Sequence, residues 1–265
     1  MSFTQSIPSL IRQRISIRKY QNVSLSTEVI TDLQSQCQNQ QNPFDADVTL
    51  QIASSSTAKL GTYGMIKSAQ AFITATAVRS PSAYFALGFE AEALVLYATS
   101  LGLGSCILGG TYNKKQFQNS LSIPEDCLFP LVVSLGYPAD QDSLLSRISR
   151  KAVKSATRKP VESLFFADNF QTSLAQVSSS LRDCLEMVRL APSSQNSQPW
   201  RLLVTDRAIH FYAVDEKPMH QIDLGIAAYH FDAAARYYDL AYSLVLLEPP
   251  LKSTPFVYCF SFIEE

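Results

Sequence analysis

The feature that most constrains the fold is the stretch LAPSSQNSQPWRLLV, from Leu190 to Val204. It contains two prolines and the only Trp of the chain. Leu174, Val177, Leu181, Leu185 and Val188 precede it at helical spacing. Pro192 has no N–H to donate and its ring clashes with the preceding turn, so the helix must stop there. Pro199 biases Gln198 toward an extended conformation, and Leu202, Leu203 and Val204 read as a buried strand. Between helix and strand lie Ser193, Ser194, Gln195, Asn196, Ser197 and Gln198. Their short polar side chains donate and accept hydrogen bonds without protruding. A polar loop held between two rigid elements suits recognition of the edge of a flat, polar ligand.

At 265 residues, with 46% hydrophobic and 17% charged residues, the chain can bury a large core in one or two units. A net charge of −1 and the lack of a basic stripe argue against nucleic-acid binding. The five cysteines are scattered and form no C-x-x-C pair, which favours a reducing compartment and argues against a zinc or disulfide framework. His210, His220 and His230 do not share a ligand spacing, so no metal site is expected. The opening residues carry no apolar signal core, and the apolar stretch from Phe85 to Gly110 is broken by Glu90 and Glu92. No membrane span and a cytoplasmic location are expected.

Several elements follow from local pattern. Ser26, two residues before Glu28, reads as a helix cap, with the helix fading into a loop over Gln34 to Asn42. Val48, Leu50 and Ile52 alternate as a strand, and the apolar runs Ala71–Val78 and Phe129–Leu135 read as strands too. The segment Leu60–Ile66 suits either a turn or a ligand contact around Tyr63 and Gly64. Tyr84–Leu101 is a buried helix, and Lys114–Leu121 a short one.

Two further segments carry chemistry. In RISIRKY, Arg14, Ser16 and Arg18 alternate, so in an extended segment they point the same way. Two guanidiniums and a hydroxyl on one face can hold a phosphate. In LGLGSCILGG, Gly102 and Gly104 suit a helix end that needs a left-handed residue. Gly109 and Gly110 remove side chains where something flat could approach the backbone.

Together these segments resemble the nitroreductase family of flavin enzymes. The family has an N-terminal R-x-S-x-R, an L-G-L-G-(S/T)-C segment, a strand ending in G-Y-P (here Gly136–Pro138) and a loop A-P-S-x-x-N-x-Q-P-W. The resemblance implies FMN as cofactor. Arg14 and Ser16 would grip the phosphate and Arg18 would lie near the pyrimidine edge. Leu108, Gly109 and Gly110 would abut the ring, and Ser193, Ser194 and Asn196 would hold the ribityl chain or ring edge. Arg158, in a basic segment that includes Arg147, Arg150, Lys151, Lys154 and Lys159, would complete the phosphate site. No protein acid or base is required, because the flavin carries the chemistry. The implied reaction is ping-pong hydride transfer from NAD(P)H through FMN to an electron-poor acceptor, a nitroaromatic or quinone-like small molecule. Alternatives are reductive dehalogenation, flavin fragmentation, or flavin binding without turnover.

The second half looks like a shortened copy of the first. Leu87-Gly88 opens one long helix and Leu224-Gly225 another, the second with Asp223 as its cap. Each motif, however, occurs once. The first half has RISIRKY and LGLGSCILGG but QCQNQQNPF in place of the polar loop. The second has PSSQNSQPW but YYDLAYSLVLL in place of the glycine segment. The expected architecture is an α+β nitroreductase-like tandem pseudo-dimer, with mixed or antiparallel sheets flanked by helices. Its halves would be residues 1–165 and 166–265. One FMN per chain is expected between the halves, with Tyr237, Tyr238 or Tyr242 filling the second position. A monomer or weak homodimer follows from an interface that is already internal.

Overall fold

The computed structural model describes residues 5–54, 61–139, 157–248, 250–252 and 255–265. Leu60, and Arg147, Arg150, Lys151 and Lys154 of the basic segment, lie outside the described residues. Two compact units divide the chain. One comprises Met1–Gln41, Ala46–Ala83 and Glu90–Arg150, and the other Asn42–Asp45, Tyr84–Phe89 and Lys151–Glu265.

In the first unit, α1 (Ile7–Gln13) is followed by α2 (Thr27–Gln38). Ser26 Oγ caps α2, accepting from Val29 N at 3.3 Å. The polar run from Gln34 reads as loop, but α2 continues through it to Gln38. Leu33 and Cys37 share a buried face, and the Asn39 amide donates to Ser35 O at 2.9 Å, satisfying a carbonyl of the last turn. Strands β1 (Val48–Ser54), β2 (Ala71–Ala77), β3 (Gly104–Leu108) and β4 (Leu128–Gly136) form an antiparallel sheet in the order β1-β2-β4-β3. Helix α3 (Ala83–Ser100) leads into β3, and α4 (Lys114–Leu121) lies between β3 and β4. Phe72, Tyr112, Phe117, Phe129 and Val132 centre the core of this unit.

The second unit has the sheet β5-β6-β7-β9-β8. Its strands are β5 (Phe165–Ala167), β6 (Trp200–Val204), β7 (Ala208–Ala213), β8 (Tyr242–Val245) and β9 (Val257–Glu264). Helix α5 (Ser179–Leu190) precedes β6, and α6 (Pro218–Tyr237) joins β7 to β8. Leu174 and Val177, which fit the helical spacing, precede α5. The helix starts instead after Ser178, whose hydroxyl accepts from Leu181 N at 3.3 Å. Asp223 is likewise not a cap: Pro218, suited to a first helical turn, starts α6 and leaves Asp223 in its interior. Phe211, Phe231, Phe260 and Phe262 are fully buried in this unit. The ring of Tyr242 packs edge-on against Phe231, and Tyr237 and Tyr238 pack on each other.

The duplication is visible in the topology. Helix, two strands, helix, two strands recur as α2-β1-β2-α3-β3-β4 and α5-β6-β7-α6-β8-β9. The strand order β6-β7-β9-β8 repeats β1-β2-β4-β3, and every corresponding pair is antiparallel. Among the described residues the second copy has no counterpart of α4. It gains β5, which pairs parallel with β6 along Phe165–Ala167. Among the described residues, six helices and two sheets make up the α+β fold, and no helix is long and apolar enough to cross a membrane.

Candidate functional site

The first cluster lies in the first unit, where the chain leaves α1. Arg14 caps that helix, its N–H donating to Leu10 O at 2.9 Å, and turns extended at φ −60°, ψ 118°. The chain then runs beside β3, with Ser16 bridged to Ser105 and Ile17 N donating to Ser105 O at 2.7 Å. A Cβ on Gly104 would sit 2.7 Å from Ile17 Cγ1, so this strand position needs a residue without a side chain. Of the two glycines suited to a left-handed helix end, only Gly102, at φ +75°, has that conformation; Gly104 serves the close approach instead.

Arg14 is buried, while Ser16 and Arg18 are exposed. All three nevertheless act on one group. Burial pushes the Cys106 thiol up, and Arg18, Arg14 and the Ser16 hydroxyl oppose that shift. The three side chains therefore lie near enough to Cys106 to act on its thiol, the arginines through their charge. Arg14 Nε lies 3.8 Å from Glu92 Oε1 of α3, a fully buried carboxylate, and has no hydrogen-bond partner. Arg18 makes no ion pair among the described residues. Leu108, the last residue of β3, is buried, and Gly109 and Gly110 beyond it are exposed. A Cβ on Gly110 would meet nothing within 4 Å.

The second cluster is the polar loop between α5 and β6, in the second unit. Three non-glycine residues adopt left-handed backbone: Gln195 at φ 52°, Asn196 at 56° and Gln198 at 46°. Pro199 alone would make Gln198 extended. It is left-handed because tertiary bonds hold it: its N–H donates to Ser193 Oγ at 2.9 Å and its Oε1 accepts from Lys159 N at 2.7 Å. Arg158 donates to Asn196 Oδ1 and to Leu190 O, both at 3.1 Å, and so ties the loop to the end of α5. Asn196 Nδ2 donates to Thr157 O at 2.8 Å, and Lys159 Nζ to Ser197 O at 2.7 Å. Burial and then the Arg201 charge pull the Lys159 ammonium down.

Asp223 is the site residue that sequence reasoning missed. Its two carboxylate oxygens accept from Ser194 N at 2.9 and 3.1 Å. Burial raises its carboxyl to about 7, opposed by the Ser194 N–H and the Ser197 hydroxyl. The available signal was an acidic residue inside an otherwise apolar run, Ile222–Ala228. His210, His220 and His230 bond to Ser261, Asp215 and Met187 O, and no group of side chains among the described residues could hold a metal.

Repeated strand order, a cationic cluster near β3 and a single polar loop before β6 define a tandem protein of the nitroreductase fold. Its fold is similar to that of a "putative nitroreductase" from Thermotoga maritima. The TM-score is 0.66 and the identity 21%, over 100% of this chain and 96% of that one. The family model described as "Putative TM nitroreductase" matches residues 6–235. The chain belongs to that family, a membership that points to an oxidoreductase. Weaker likenesses include an "FMN-dependent Nitroreductase" from Clostridium difficile, with TM-score 0.40 and 20% identity over 53% of this chain and 95% of that one. Another is a "Putative NADH dehydrogenase/NAD(P)H nitroreductase" from Bacteroides thetaiotaomicron, with TM-score 0.42 and 23% identity over 51% and 88%. No curated protein matches the chain.

Proposed function

We propose that the protein is an FMN-dependent oxidoreductase that takes electrons from NAD(P)H and passes them to a small electron-poor acceptor, nitroaromatic or quinone-like. The observation that carries this reading is an unused donor on buried Arg14 and an Arg18 without an ion pair among the described residues, both close enough, with Ser16, to act on Cys106. Two cations and a hydroxyl in one neighbourhood fit a phosphate dianion. The open approach to Gly110 fits a flat ring. Bound FMN would supply hydride acceptance and donation at its N5 atom.

In this reading Arg14 and Ser16 hold the phosphate and Arg18 offsets negative charge on the pyrimidine side of the ring. Leu108, Gly109 and Gly110 leave the backbone accessible. Ser193 and Asn196 already have partners within the protein, so they act by fixing the loop, while Ser194 faces the ligand. Arg158 supports the loop through Asn196 and brings positive charge near it. Each motif occurs once in the sequence, so the expected stoichiometry is one FMN per chain.

The absorption spectrum of freshly purified protein tests the reading, followed by mixing with reduced nicotinamide. A flavin band that bleaches on mixing supports the oxidoreductase. A colourless protein whose addition leaves FMN fluorescence unchanged overturns it. A bound flavin that reduced nicotinamide does not bleach indicates binding without turnover.

A further inference from the structure

We infer that Asp223 is the positioning residue of the polar loop: from inside α6 its carboxylate grips the Ser194 N–H and so sets the shape that the loop presents to a ligand. The functional meaning of this inference rests on the flavin reading above; its geometry does not.

The loop cannot hold its own shape cheaply. Left-handed backbone is unfavourable at a non-glycine residue, and Gln195, Asn196 and Gln198 all adopt it. Arg158, Lys159 and Ser193 fix the later part, Asn196 to Gln198. Ser194, where the loop leaves Ser193, is held from elsewhere, by a residue 29 positions away that is 2% exposed. A carboxylate so buried is unfavourable unless its hydrogen bonds repay the loss of water. Here those come from Ser194 N on the loop, which both carboxylate oxygens accept.

The grip is therefore coupled to a proton. Other ionisable groups on and around α6 are engaged elsewhere. Glu186 and Arg189 of α5 pair with each other, and Arg201 of β6 donates to Gln198 O and Trp200 O. His210 of β7 bonds to Ser261, and on α6 His220 bonds to Asp215 and His230 to Met187 O. The first turns of α3, Phe85–Phe89, approach α6 without any charged residue. No charged side chain among the described residues contributes to the acidity of Asp223. Ionisation tightens the bond to Ser194, because a charged acceptor makes the stronger hydrogen bond. Protonation loosens it.

The test uses the unaltered protein first. With 15N labelling, the Ser194 amide proton should move downfield with a single transition as pH rises from about 5.5 to 8.5, and the transition should vanish in Asp223→Asn. FMN affinity, read by quenching of flavin fluorescence, should fall about tenfold in Asp223→Asn above neutral pH. The preference for FMN over riboflavin, which reports the Arg14 cluster, should persist. A Ser194 amide that does not titrate in the unaltered protein overturns the inference, as does an Asp223→Asn variant that binds FMN as tightly as the parent. If the parent binds no FMN at all, the flavin reading fails, and the amide titration alone then decides whether Asp223 grips the loop.

Discussion

Gly88 and Gly225 sit at equivalent points of a helix crossing within the second unit. A Cβ on Gly88 would lie 2.1 Å from Ile222 O, three residues before Gly225; a Cβ on Gly225 would lie 2.0 Å from Phe85 O, three residues before Gly88. The contact is reciprocal, as a two-fold axis would make it. Either glycine inside a helix would ordinarily gain about 0.5–1 kcal/mol on replacement by alanine. Here backbone blocks the methyl group, and overpacking of this kind costs about 1–3 kcal/mol or more. Gly88→Ala and Gly225→Ala should each lower the melting temperature, while Gly110→Ala, with open space around it, should not. Thermal unfolding followed by circular dichroism checks all three.

Arg14 faces both Glu92 and the proposed phosphate. Arg14→Ala removes the cation 3.8 Å from buried Glu92, at a cost of about 3 kcal/mol, and it should abolish the preference for FMN over riboflavin. Pairing it with Glu92→Gln should recover most of the stability and none of the preference. If Arg14→Ala still discriminates between the two flavins, Arg14 has no part in holding the phosphate.

Asn196 is bonded to Arg158 and to Thr157 O. Asn196→Ala should therefore destabilise the fold by about 1–3 kcal/mol, readable as a shifted denaturation midpoint. Weakened flavin binding should accompany it, because the loop loses its tie to Arg158. Unchanged stability would mean that these bonds do not hold the loop.

The raised carboxyl of Asp223 gives a stability profile of definite sign. The folded state keeps this proton up to about pH 7, whereas the unfolded chain releases it near 3.8. Its contribution is full at low pH and is lost as pH rises from about 4 to about 7, by an amount on the order of 4 kcal/mol. Asp223→Asn should flatten that part of the profile and so be more stable than the parent at pH 8. Urea midpoints across this range decide it; identical slopes in the two proteins would contradict the assignment.

Local signals made much of this molecule legible. The Ser26 cap, the alternation in β1 and the largely apolar run of α3 each sit within a few residues and depend little on context. Alternation suggested a shared side for Arg14, Ser16 and Arg18, yet Arg14 is buried while Ser16 and Arg18 are exposed. What could not be read is what distant partners decide. Pro199 favours an extended Gln198, yet Ser193 and the backbone of Lys159 hold it left-handed. An acidic residue near the start of a helix suggests a cap, yet Asp223 acts on a loop 29 residues away. Leu-Gly was visible as a repeated pair; the carbonyls that forbid a side chain there were not.

The repeated strand order has an evolutionary consequence. In a homodimer one gene writes both copies, and every substitution arrives twice, helping one site only by burdening the other. Here the two copies of the repeat have separate codons. Selection can alter β8 without altering β3, or discard α4 from one copy while keeping it in the other. Asymmetry is thus heritable in this chain, and the two halves are free to specialise.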